Sequence, residues 1–210
     1  MGNPYFLRCY LVRHGPVDKV KGCLPAYDAE LSSHQKQLHA LKDHLPDDGE
    51  WHCSPLMRAR QSYEILNPDG GEPSIDMRLE EQNFGSWHER PMAEVWDDIS
   101  QRMNPMHPVS FINYDDCPPG GTSFDDVYQK AGAFLDELLA KRSEKPQMII
   151  SHAGTSKALL GHMLGLSPAQ AMMIEISHGS VSVADYIYDT QKPDEISPWQ
   201  IQFINRVYGA

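Results

Sequence analysis

The chain has 210 residues, 22% of them charged and 40% hydrophobic, and a formal charge of −11 at neutral pH. That length suits one domain spanning residues 1–210, with a single sizeable core. The acidic balance counts against nucleic-acid and anionic-membrane partners, which call for a basic face, and points to a small-molecule substrate.

Phe6 to Val12 is a short apolar, β-favouring run and reads as a buried strand. Ser32 to Leu45 follows as a helix, with Leu38, Leu41 and Leu45 at helical spacing behind a serine cap. Trp51 to Ser54 is a brief apolar run. Ser54-Pro55 then opens a second helix, with a capping side chain and proline at the first helical position. This helix extends to Leu66 and holds Arg58 in its first turn. Asn67 to Pro73 is rich in turn formers, and residues 74–90 are extended and irregular.

Pro91 to Gln101 is a helix with Val95 and Ile99 on one side, and the Pro- and Asn-rich stretch from Met103 to Gly121 is a loop. Residues 86–118 thus form a variable region over one face. Thr122 or Ser123 caps a helix to Arg142, in which Val127, Ala131, Phe134, Leu135, Leu138 and Leu139 mark the buried stripe. Met148 to Ser151 is the next buried strand, and Gly154 to Leu164 is a helix stopped by Gly165. Alternation around Val181 to Tyr188 and Trp199 to Phe203 predicts two last strands, in a hairpin. Recurring strand–helix units make the fold α/β, a three-layer sandwich with a mostly parallel central sheet.

Cys9, Cys23, Cys53 and Cys117 lack C-x-x-C spacing, which fits free thiols in a reducing compartment. No apolar run reaches membrane-spanning length and no charged-then-apolar leader precedes the first strand. These features set the expectation of a soluble, cytoplasmic protein without a membrane partner. Oligomeric state is left open.

The chemistry concentrates in four segments. Leu11-Val12-Arg13-His14-Gly15 puts a permanent cation beside a potential nucleophile at a strand end, where open α/β sheets bind ligands. Ser54-Pro55-Leu56-Met57-Arg58, Leu79-Glu80-Glu81-Gln82-Asn83-Phe84-Gly85 and Ile150-Ser151-His152-Ala153-Gly154 add an arginine, a carboxylic acid and a histidine. Arginine's planar fork of donors matches phosphate oxygens at any physiological pH. Neutral histidine attacks phosphorus, and a carboxylic acid supplies the proton a leaving alkoxide needs. The turn after His152 also opens a helix, whose free N–H groups favour an anion.

With Pro119-Gly120-Gly121-Thr122-Ser123 between the third and fourth, these segments resemble the histidine phosphatase (phosphoglycerate mutase-like) superfamily over most of the chain. The resemblance implies that His14 is the phosphorylated nucleophile, that Arg13, Arg58 and protonated His152 form the phosphate pocket, and that Glu81 is the general acid. Gly15 and Ala153 are expected beside the substrate. It implies no cofactor and no metal, because the cations take over charge stabilisation. The chain departs from the family at Ala153, Thr122 and His88, and in Pro16-Val17-Asp18, where many members place an asparagine.

The expected reaction is hydrolysis of a small phosphate monoester, with Glu81 holding its proton through burial or the neighbouring Glu80. Alpha-ribazole phosphatases are among the similar compact members. The rival readings are a mutase-type isomerase and a non-catalytic member of the fold. Similar mutases carry arginine and histidine directly after the acid, where this chain has Gln82-Asn83, and an arginine pair in the middle segment, where it has Phe111-Ile112-Asn113-Tyr114.

Overall fold

A computed structural model describes residues 5–102, 112–188 and 198–209. Its strands are β1 (Tyr5–Arg13), β2 (Glu50–Cys53), β3 (Ser74–Ile75), β4 (Gln147–Ser151), β5 (Val181–Tyr188) and β6 (Trp199–Arg206). They form one sheet in the order β3-β2-β4-β1-β5-β6. β4 runs parallel to both β1 and β2, so Ile150 faces Val12 on one side and Cys53 on the other. β3 is parallel to β2, whereas β5 is antiparallel to β1 and β6 to β5. The sheet is therefore mostly parallel, as expected, with the expected hairpin at one edge. New to the sequence reading is the antiparallel docking of β5 on β1, which carries the turn before β5 to the carboxyl end of β1.

Alternation along β1 splits its side chains between two cores. Val12 packs with Leu38 and Leu41 of α1 (Lys36–Lys42) and with Ala59, Tyr63 and Leu66 of α2 (Met57–Leu66). Helix α3 (Met92–Arg102) lies off the sheet, where Val95 and Ile99 pack on Trp87 and Ile112. Leu7, Cys9 and Leu11 face the opposite layer: α4 (Phe124–Ala140), α5 (Ala153–Leu164) and α6 (Pro168–Ala171). Each fully buried leucine or isoleucine contributes roughly 1.5–3 kcal/mol. The three layers match the expected sandwich.

Helix starts show where local signals lose to tertiary partners. α1 begins at Lys36, not Ser32, because Gln35 Nε2 donates to the carbonyls of Pro16 and Ser32, tying that segment to the loop after β1. α2 begins at Met57 and has no side-chain cap, since Ser54 Oγ turns to His152 while accepting from the Leu56 N–H. The cap at Ser123 is as expected, a reciprocal box with Asp126. α4 ends at Ala140, short of Arg142, and Gly165 stops α5 with φ 66°. α6 went unread although Ser167-Pro168 signals it, with Ser167 and Gln170 capping each other. β6 extends to Arg206, and Met173 is exposed although the Met172-Met173 pair reads as core. Of the loop expected over 103–121, residues 103–111 lie outside the described residues. Among the described residues no helix is long and apolar enough to cross a membrane.

Candidate active site

The end of β4 and the turn before β5 pin the backbone of the nucleophile candidate. The His14 N–H donates to Ser151 O at the end of β4, the Gly179 N–H donates to His14 O just before β5, and the Arg13 N–H donates to Ser180 O, all at 3.0 Å. His14 is 3% exposed, so its ring has little freedom. Its Nδ1 lies 2.7 Å from Gly15 O, an acceptor, and its Nε2 lies 3.2 Å from Arg58 Nε, a donor. Those partners fix the tautomer: the proton sits on Nδ1 and the lone pair on Nε2.

Arg58 Nε lies at the same 3.2 Å from His152 Nδ1, and Arg58 Nη1 donates to the Tyr27 carbonyl at 2.5 Å. His152, fully buried, sets its Nε2 2.8 Å from Ser54 Oγ. Nδ1 of His152 is therefore an acceptor too, and the two imidazoles face each other at 5.1 Å between ring centroids. Burial, then the charges of Arg58 and Arg13, hold His14 well below the usual histidine range. Burial, then His14, Arg58 and Arg13, do the same to His152. Burial also pulls down the two arginines, against which the charge of Glu81 acts.

Glu81 reaches the cluster from the segment after a single turn of 3-10 helix at Met77–Leu79. The Gly154 N–H, at the start of α5, donates to its two oxygens at 3.1 and 3.2 Å, and the Gln82 N–H donates to Oε1 at 3.0 Å. Thr155 Oγ1 donates to Glu80 O at 2.6 Å, anchoring the backbone beside it. The tip of Tyr27 lies in the field of Glu80, Arg58 and Glu81, and burial pushes its hydroxyl up to about 12. The constellation thus offers a lone pair on His14, the Arg58 guanidinium beside it, the charge of Arg13 acting on it, and a carboxyl group held at the start of α5.

The model of the histidine phosphatase superfamily (branch 1) matches residues 9–197. The chain belongs to that superfamily. A probable phosphoglycerate mutase of Yersinia enterocolitica is 26% identical over 204 residues, covering 93% of this chain and 91% of its own. A mycobacterial glucosyl-3-phosphoglycerate phosphatase superposes with a TM-score of 0.76 at 22% identity, over 95% of this chain and 99% of its own. A putative alpha-ribazole-5′-phosphate phosphatase of Escherichia coli gives 0.75 at 20% identity, over 95% and 96%. These structural likenesses establish a histidine phosphatase fold.

Within that fold, the five residues expected to do chemistry, His14, Arg13, Arg58, His152 and Glu81, come together at the carboxyl ends of β1 and β4. Gly15 stands beside them with its N–H donated to Ser62 Oγ at 3.1 Å, and Ala153 is the first residue of α5. His152 is expected to act protonated; before an anion arrives, burial and the nearby His14, Arg58 and Arg13 disfavour its charged form.

Sequence reasoning missed three neighbours. Ser54 serves His152 instead of capping α2. Lys157, one turn into α5, donates to Met172 O at 2.9 Å and is pulled down by burial while Glu81 acts against it. His178 lies 2.8 Å from Arg13 Nη2 and packs edge-on against His14 at 5.3 Å. Its signal was a histidine followed by Gly179 ahead of a strand, which needed the antiparallel β5 to mean anything. Among the described residues no group of three or more His, Cys, Asp or Glu is placed to hold a metal ion.

Proposed function

We propose that the protein is a phosphomonoesterase that hydrolyses a small phosphate monoester through a phosphohistidine on His14, without a metal. The observation that carries this reading is the fixed tautomer of His14: Nδ1–H bound to Gly15 O, with the Nε2 lone pair turned to Arg58. Nε2 attacks phosphorus in line. The P–N bond forms as the P–O bond to the leaving group breaks, and the Glu81 carboxyl gives its proton to the departing oxygen. Gly15 O steadies the positive charge that the ring acquires. In the second step water attacks the phosphohistidine, Glu81 takes its proton, and the P–N electron pair returns to Nε2. Arg13 and Arg58 neutralise the phosphoryl oxygens in both transition states, the role metal ions play elsewhere.

His152, neutral at rest, acquires a proton on Nδ1 as the dianion enters and then donates to it. Residues 1–210 act as one domain in the cytoplasm, with a small phosphate monoester as partner. The test is to incubate the protein and His14→Ala with a metal-free panel of monoesters: α-ribazole phosphate, glucosyl-3-phosphoglycerate, phosphoserine and 3-phosphoglycerate. Released phosphate should fall in the variant by about 10⁴-fold or more, and acid quenching should trap phosphate on His14 of the wild type. Equal turnover by both proteins would refute the reading.

The mutase-type reading draws on the name of the Yersinia relative. It requires cations for a substrate carboxylate; among the described residues Lys157 lies near enough for the charge of Glu81 to act on it. Interconversion of phosphoglycerates stimulated by added 2,3-bisphosphoglycerate would select it over hydrolysis.

A further inference from the structure

The Arg13 guanidinium donates from three nitrogens, and two of them have a partner. Nη1 donates to Ile176 O at 2.5 Å and Nη2 to His178 Nε2 at 2.8 Å. The third, Nε, is buried with no partner. A buried, unsatisfied donor is costly, more so when the group is charged, so it calls for an acceptor that arrives with a ligand. Arg13 adjoins His14, the residue whose Nε2 awaits phosphorus.

We propose that His178 is a positioning residue, which together with Ile176 O clamps Arg13 so that its Nε–H is presented to the phosphoryl group. The inference rests on the phosphatase reading of the same site. A guanidinium only donates, so the ring nitrogen facing it must accept; His178 therefore works neutral, with its proton on Nδ1. The same ring stands edge-on to His14, at 5.3 Å and 68°, and limits how far the nucleophile can tilt. The groups that face it keep it neutral: Arg13 from β1, Arg58 from α2, Lys19 from the loop after β1, and the His14 ring, none of them anionic. Burial and those cations lower it to about 4. A protonated ring would turn an N–H toward the guanidinium and push Arg13 out of register.

The experiment compares wild type, His178→Leu and His178→Gln, the last keeping an acceptor. Competitive inhibition by inorganic phosphate is measured beside kcat and KM on the best monoester of the panel. His178→Leu should weaken phosphate binding and lower kcat/KM together, by about 10²-fold, while His178→Gln regains most of both. A merely structural role would lower the melting temperature of both variants without this split. In wild-type protein the ¹⁵N resonance of Arg13 Nε should move on phosphate addition, a readout that needs no variant to fold. If wild type binds phosphate but His178→Leu keeps its inhibition constant within about twofold, or Arg13 Nε does not respond, the positioning role is wrong and the phosphatase reading stands. If wild type neither binds phosphate nor forms a phosphohistidine, both fall.

Discussion

A single donor, Arg58 Nε, lies 3.2 Å from the lone pairs of His14 and of His152. Two basic nitrogens therefore share one donor, and an incoming dianion reverses the balance of charge that disfavours their protonation. Anion binding should draw in a proton, so binding strengthens as pH falls. Sulfate, which stays dianionic throughout, makes the test clean: its inhibition constant should drop from pH 8 to pH 5, and His152→Gln should flatten that dependence. A constant independent of pH in wild type would mean that His152 donates nothing to the anion. The residues that carry this behaviour were legible because each sits inside a short motif whose chemistry is local, such as Arg13-His14-Gly15. The downward pull on His152 was not, since it depends on burial and on His14, Arg58 and Arg13 arriving from other strands and helices.

At the scale of elements, the start of α5 does two jobs, opening a helix and holding the acid. A Cβ on Gly154 would stand 2.3 Å from Glu81 Oε1, an atom at the free end of a flexible side chain. Gly154→Ala should consequently displace the carboxyl group and leave the fold in place: kcat falls about 10²-fold, as for a misplacement of roughly 1 Å, while the melting temperature stays near wild type. The opposite pattern belongs to Ser123, which caps α4 through reciprocal bonds with Asp126. Ser123→Ala should lower stability by about 1 kcal/mol in chemical denaturation with kcat/KM close to wild type. These two positions also show what a sequence can disclose about elements. The box at Ser123 was readable because its partner is three residues away. Ser54 carries an equally good capping signal, yet its hydroxyl serves His152, a partner that only the pairing of β2 with β4 brings near.

For the whole molecule, buried neutral histidines couple stability to acidity. His14, His152, His178 and His52 all lie below the ordinary value of 6.5. Between that value and their lower folded ones the unfolded chain binds more protons than the native one, so stability falls as pH drops. The slope is up to about 1.4 kcal/mol per pH unit for each histidine. Denaturation at pH 7.5, 6.0 and 5.0 should show this loss, and sulfate should offset part of it; a stability that is flat across this window would overturn the assignment. The layer architecture was legible from alternating strands and helices, whereas the strand order was not, because pairing partners lie far apart in the chain. That order also governs how the protein is made. On a ribosome β1 emerges first, but its neighbours β4 and β5 are among the last strands to appear, and β2 must wait for β4 as well. For most of its synthesis the nascent chain displays two apolar strands with open edges, which is the condition that recruits chaperones. The cluster around His14 and Arg13 is completed only when the turn holding His178 has left the exit tunnel.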